Sequence, residues 1–179
     1  MPALNRRSFL AGAAAAGLAL ASPTAAGTRS VGVGVGADLV PLLPEHRIVA
    51  FYGHPNDVGM GIVGQFGKEE LLEHLMDEVD AYERADSSRQ VMPAIEIVFS
   101  VAQLDPGLDG KYILHTDDAT MREYIEFTQE HNILLLIDIQ FGKSTVQEEM
   151  ALLEDYLAEP NVHLAIDPEF AWGRDRTPG

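Results

Sequence analysis

The chain has 179 residues, which suits a single globular domain, and 46% of them are hydrophobic, enough to form a core. The formal net charge is −16 at pH 7, so the surface repels nucleic-acid phosphate and anionic lipid, and we predict no nucleic-acid partner. There is no cysteine, which excludes disulfides, thiolate catalysis and cysteine-ligated zinc.

The N-terminus has the features of an export signal. Residues 4–26 read LNRRSFLAGAAAAGLALASPTAA, in which Arg6 and Arg7 precede Phe-Leu, a weakly apolar run and small residues. This order resembles the twin-arginine signal, and the apolar run is too short to span a bilayer. We predict a signal peptide over 1–26, export to the cell envelope or the medium, and no membrane insertion after cleavage. The alternating glycines of 27–44 predict a flexible linker.

From residue 45 onward, apolar runs alternate with amphipathic segments. The segments at 68–84, 118–131 and 144–158 carry apolar side chains at helical spacing, and Ser144 with Gln147 predicts a capping box for the third. Strands that alternate with helices of this length predict parallel βα units in an α/β fold. The four apolar runs predicted as strands are 48–53, 91–99, 133–141 and 162–170.

The predicted strands align on one pattern of polar residues near their carboxyl ends. The first position of the pattern is Tyr52, Glu96, Asp138 or Asp167, and two residues further on stand His54, Val98, Gln140 and Glu169. Strand side chains alternate with period two, so we expect two tiers on one face of the sheet. In an open doubly wound sheet a ligand would lie at a switch-point crevice, whereas in a barrel this face is the active-site mouth. Because polar residues recur at the same positions of every predicted strand, we predict that residues 45–179 form (βα)4, the N-terminal half of a (βα)8 barrel.

Two carboxylates that lie close together can separate their pKa values, which glycoside hydrolysis requires. The motif Ile166-Asp-Pro-Glu-Phe170 places Asp-x-Glu at the end of the fourth run. It resembles the motif of the chitinase-like glycoside hydrolases and of the Chalaropsis-type muramidases. That resemblance implies that Glu169 is the proton donor and Asp167 the neighbour that tunes it or the substrate.

The chain departs from both families at specific positions. The longer chitinase motif has a further Asp where this chain has Ala165, and the muramidase pattern has an Asp in the first strand, where this chain has Tyr52 and His54. More broadly the chain resembles uncharacterised exported bacterial barrel proteins with Gly-His-Pro after the first strand. We predict a glycan or small polar ligand, catalytic Glu169 and Asp167, and substrate-binding residues Asp138, Glu96, Tyr52, His54 and Gln140.

Other functions stay open for the same residues. His54 could bind substrate or a metal, or hold a structural hydrogen bond; with Glu96, Asp138 and Asp167 it could form an oxygen-rich metal site, as in a metal-dependent phosphodiesterase. A non-catalytic binding protein is a further alternative. We predict neither a cofactor nor a bound metal.

Two glycine-containing segments are predicted as loops over the barrel mouth. Residues 59–64 match GxGxxG, but they begin well after the first apolar run, and the nearest acid at a strand end, Glu96, is too far from Gly59 for the dinucleotide-binding pattern. We therefore predict a mobile loop there, and a second mouth loop over 100–115.

The predicted domain is short for a whole barrel. Four βα units occupy residues 45–179, whereas a complete barrel takes about 250 residues. We expect an N-terminal piece of a longer protein that is inactive by itself, or else a half-barrel that forms a homodimer.

Overall fold

The computed structural model describes residues 42–171, so the predicted signal peptide and nearly all of the linker lie outside the described part. The strands are β1 His46–His54, β2 Asp57–Gly61, β3 Gln90–Ala102, β4 Ile113–His115, β5 Leu134–Gly142 and β6 Val162–Ala171, and the helices are α1 Lys68–Ala85, α2 Asp118–His131 and α3 Val146–Leu157. A short 3-10 helix spans Ile62–Gly64. Among these helices, none is both long and apolar enough to cross a membrane.

The four predicted strands form a parallel sheet. Its order is β2-β1-β3-β5-β6, and β4 pairs with β3. The pairs β1–β3, β3–β5 and β5–β6 are parallel, whereas β2 and β4 are short antiparallel additions to the ends of β1 and β3. The α/β class and the parallel order are therefore confirmed.

The hydrophobic core lies on one face of this sheet. Ile95 and Ile97 of β3 and Ile137 and Ile139 of β5 are fully buried, and they form one cluster with side chains from all three helices. Alternate residues along each strand thus pack under the helices, because strand side chains alternate between faces. The opposite face carries no described helix, so its side chains depend on neighbouring strands and loops for burial.

The helices begin and end close to the predicted limits. α2 starts after Asp117, whose side chain accepts a hydrogen bond from the backbone N–H of Thr120, and it ends at Asn132 in a left-handed conformation. The predicted capping box of α3 was one residue out of register. Thr145 is the N-cap and Glu148 closes the box, because a threonine in extended conformation offers the same hydroxyl as a serine one residue earlier.

Both predicted mouth loops are more ordered than expected. Asp57–Gly61 forms β2 against β1, and residues 100–115 contain the end of β3 and the returning β4. The glycines of 59–64 allow this packing: a Cβ on Gly61 would lie 2.2 Å from the carbonyl oxygen of Tyr52, and one on Gly64 would lie 2.4 Å from that of Asp57. Close approach of two backbones accounts for these glycines without a nucleotide.

Replacing Gly61 with alanine is expected to lower the free energy of unfolding by roughly 2–4 kcal/mol, because the new methyl group meets backbone and because φ is +91°. Gly67→Ala is the matched control, since nothing lies within 4 Å of its Cβ position. It should cost less than about 1 kcal/mol. Urea unfolding of both variants measures the difference; equal losses would show that β2 does not pack closely on β1.

Candidate functional site

Tyr52, Glu96, Asp138 and Asp167 lie on the face of the sheet that carries no described helix. On each strand the residues beside them, such as Phe51, Ile97 and Ile137, pack in the helical core. Side-chain alternation therefore directs these four polar side chains to the opposite face. Tyr52 lies near the carboxyl end of β1, but Glu96 and Asp138 lie at the centres of β3 and β5, which corrects the expected position at the strand ends.

Their order along the strands is staggered, which corrects the expectation of level tiers. Tyr52 and Glu96 are direct neighbours, but Glu96 pairs with Leu136, so Asp138 lies two residues further along β5. Asp138 in turn pairs with Ala165, so Asp167 lies two residues further along β6 and pairs with Gln140. Each step of two residues displaces the next carboxylate by about 6.6 Å toward the carboxyl end.

The acids nevertheless act on one another. Burial raises the pKa of the Tyr52 hydroxyl, and the charges of Asp138, Asp167, Glu96 and Glu169 raise it further. The charges of four carboxylates on three strands thus all affect the pKa of Tyr52. We call Glu96, Asp138, Asp167 and Glu169 the carboxylate cluster.

Asp138 is the most strongly perturbed member of the carboxylate cluster. Its residue is only 4% exposed. Burial, followed by the charges of Asp167 and Glu96, raises the pKa of Asp138 to about 7, against a small opposing effect of the Ile139 backbone N–H. Burial also raises the pKa of Glu96. Asp138 therefore keeps its proton through the acidic range and loses it near neutrality, as a general acid must.

Asp167 and Glu169 lie in a different environment. Asp167 is half-buried, its Oδ1 accepts a hydrogen bond from the Glu169 backbone N–H at 3.2 Å, and its Oδ2 lies 3.5 Å from Nε2 of Gln140. Glu169 is exposed. The resemblance implied Glu169 as the proton donor, whereas burial and neighbouring charge single out Asp138.

His54 is held in a structural hydrogen-bond arrangement rather than in the carboxylate cluster. Its Nδ1 accepts from the backbone N–H of Asn56 at 3.1 Å. The Thr116 hydroxyl donates to the carbonyl of Val98 at 2.9 Å and lies 3.2 Å from His54 Nε2, which leaves it to accept the Nε2 proton. Both ring nitrogens are thus engaged in a neutral imidazole, so neither is directed to a substrate or a metal.

Stability should decline in acid partly through His54. Burial lowers the pKa of His54, with a smaller opposing effect of Asp57. The unfolded chain binds the His54 proton more tightly than the folded protein does. The contribution of neutral His54 to the free energy of unfolding is therefore fully present above about pH 6.5, and it is lost as the pH falls through the lower pKa of the folded state. We expect the stability difference between the wild type and His54→Asn to shrink from pH 8 to pH 5 in urea titrations. A pH-independent difference would contradict a buried neutral histidine.

A second buried acid was not found from the sequence. Glu149, in the first turns of α3, is 1% exposed, and its Oε2 lies 2.8 Å from Nε2 of His115 on β4. Burial acts to raise the pKa of Glu149, but hydrogen bonds from His115 and Ser144 and the charge of His115 outweigh it and hold the pKa below its usual range. The sequence does indicate this burial, because the spacing of Glu149, Leu153 and Tyr156 places all three on the face of α3 that packs against the sheet.

The residues described do not group into a metal centre. Across 42–171 no set of three His, Asp or Glu side chains is placed so that it could hold a metal ion. The stagger of Glu96, Asp138 and Asp167 and the engagement of His54 account for this.

Comparison with known proteins gives no match: no protein-family model, no curated protein and no solved structure is significantly similar to the chain. Functional inference therefore depends on the geometry of the site.

Proposed function

We propose that residues 45–179 form the N-terminal half of a (βα)8 barrel. Three features support this architecture over a doubly wound sheet. The described helices pack on one face, the other face bears the polar side chains, and the polar positions of β3, β5 and β6 step along the sheet in one direction. A one-sided helical layer is the arrangement of a barrel wall, and closure of a sheet requires such a stagger. The polar face would then line the lumen of the barrel.

We further propose that the protein is exported by the twin-arginine pathway and acts as a glycoside-hydrolase-like enzyme on a glycan. The observation that carries this proposal is the carboxylate cluster, in which burial and then the charge of Asp167 raise the pKa of Asp138 to about 7. A carboxyl group that can donate its proton near neutrality and a second carboxyl group in the same site are the two groups that glycosidic bond cleavage needs.

The roles of the two acids follow from their surroundings. Asp138 would donate its proton to the leaving glycosidic oxygen, and Asp167, with hydrogen-bond donors at both oxygens, would stabilise positive charge that develops on the sugar ring. After cleavage, the Asp138 carboxylate would accept a proton from the attacking water. Tyr52, which is 41% exposed, and Glu96 would contact the hydroxyl groups of the substrate.

Turnover of chitin oligosaccharides and peptidoglycan by the protein expressed from its complete gene tests the proposal. We expect Asp138→Asn to lower kcat by about 10²–10⁴-fold, because proton donation is lost. Glu73→Gln, at an exposed position on α1, is the matched control and should leave kcat unchanged.

The other assignments predict different results in the same assay. If Glu169→Gln abolishes turnover and Asp138→Asn does not, the proton donor is Glu169. Glycan binding without turnover in the wild type would indicate a binding protein. Loss of activity with EDTA would indicate a metal-dependent enzyme such as a phosphodiesterase-like barrel.

A further inference from the structure

Gln140 is placed between the end of β3 and the carboxylate cluster. Its residue is 4% exposed, although it stands among polar side chains near the end of β5. Its Oε1 accepts a hydrogen bond from the backbone N–H of Ala102 at 2.8 Å. Because this oxygen is already engaged by the backbone, Gln140 is tied to the sheet and is not free for the direct substrate contact predicted for it.

The bond to Ala102 determines which way the amide of Gln140 faces. A backbone N–H can only donate, so the atom that meets it must be the carbonyl oxygen of the side chain. The amide nitrogen then faces the other way, toward β6, where it lies 3.5 Å from Oδ2 of Asp167. Gln140 thus joins the end of β3 to Asp167 across β5.

Asp167 needs such a partner because of the charges around it. Tyr52 of β1, Glu96 of β3, Asp138 of β5 and Glu169 of β6 all belong to the same electrostatic group, and none supplies a positive charge. A carboxylate in this position would turn away from its neighbours unless hydrogen-bond donors held it. The Glu169 backbone N–H holds one oxygen, and the Gln140 amide faces the other.

We propose that Gln140 is a positioning residue, whose amide is anchored on Ala102 and keeps the Asp167 carboxylate turned toward Asp138. This role rests on the proposed function in so far as Asp167 is the charged partner of the acid. The residue itself touches neither substrate nor the reacting atoms.

A double-mutant cycle on the full chain tests the proposal without any substrate. The readout is the carboxyl 13C titration of Asp138 by NMR. In Gln140→Met, Asp167 is released, its charge acts less on Asp138, and the proton affinity of Asp138 should fall by about three- to tenfold. In an Asp167→Asn background the same Gln140→Met change should have no further effect, because there is no charge left to position.

Gln147→Met is the matched control, since it makes the same chemical change at an exposed site on α3. Gln140→Asn serves if the methionine variant does not fold, because its shorter amide cannot reach both Ala102 and Asp167. An unchanged Asp138 titration in a folded Gln140 variant would overturn the proposal. So would an equal fall in the Asp167→Asn background, which would mark a purely structural role. Neither result depends on glycan turnover, so failure of the proposed function stays distinguishable.

Discussion

Asp138→Asn is expected to stabilise the folded protein at pH 8, raising the free energy of unfolding by about 2 kcal/mol. At that pH the wild type carries an ionised, buried carboxylate close to Asp167 and Glu96. Asparagine has nearly the same shape and no charge. The difference between the folded pKa of about 7 and an unfolded value near 3.9 corresponds to about 4 kcal/mol, and we expect about half of it because relaxation and water penetration reduce the cost of a buried charge.

The pH dependence has a definite sign. The folded-state pKa is raised, so the folded protein binds more protons than the unfolded chain between about pH 4 and pH 7. Wild-type stability therefore falls through this window as the pH rises, and the advantage of Asp138→Asn should grow from about pH 4 and level off above pH 7. A gain in stability on removal of a polar group is typical of a functional site.

Urea unfolding at pH 5 and pH 8 measures this effect. Asp80→Asn, which removes an exposed carboxylate from α1, is the control and should change stability by less than about 0.5 kcal/mol at both values. If Asp138→Asn instead lowers the free energy of unfolding at pH 8, the ionised carboxylate stabilises the fold, and the prediction is wrong.

Glu149→Ala should have the opposite and larger effect, a loss of about 3 kcal/mol in the free energy of unfolding. Glu149 is fully buried and bonded to His115, whose ring packs on Phe99 at 5.2 Å. Removing it leaves the His115 nitrogen without its acceptor and opens a cavity under α3. The pair connects α3 to β4, so the chain from 103 to 115 should also lose protection.

Urea unfolding and amide hydrogen exchange of the same variant check this. Glu154→Ala is the matched control, because it removes an exposed glutamate from the same helix and should cost less than about 0.5 kcal/mol. A loss of that size for Glu149→Ala as well would show that the buried pair contributes nothing to folding.

The main elements could be predicted from the sequence because their signals are local. Period-two and helical patterns near residues 91–99 and 118–131 led to β3 and α2, within a few residues at each boundary. The side on which Glu96 and Asp138 lie followed from the same alternation. The short strands β2 and β4 were missed, because their pairing depends on close backbone approach and not on a hydrophobic pattern.

The details of the site could not be predicted because they depend on how strands pair. The register between β3 and β5 places Asp138 two residues beyond Glu96, and a single sequence contains no measure of that offset. Burial likewise decides which acid keeps its proton, and the sequence motif drew attention to Glu169 instead. The role of His54 depended on Thr116, which is 62 residues away in the chain.

The carboxyl 13C titration of Asp138 in the wild type tests the central claim most directly, namely that the face of the sheet without a described helix holds a proton-donating acid. We expect a titration midpoint near pH 7, with a parallel change at Tyr52, which senses the same charge. A midpoint below about pH 5 would place Asp138 among ordinary carboxylates and would contradict the acid–base centre proposed for this protein.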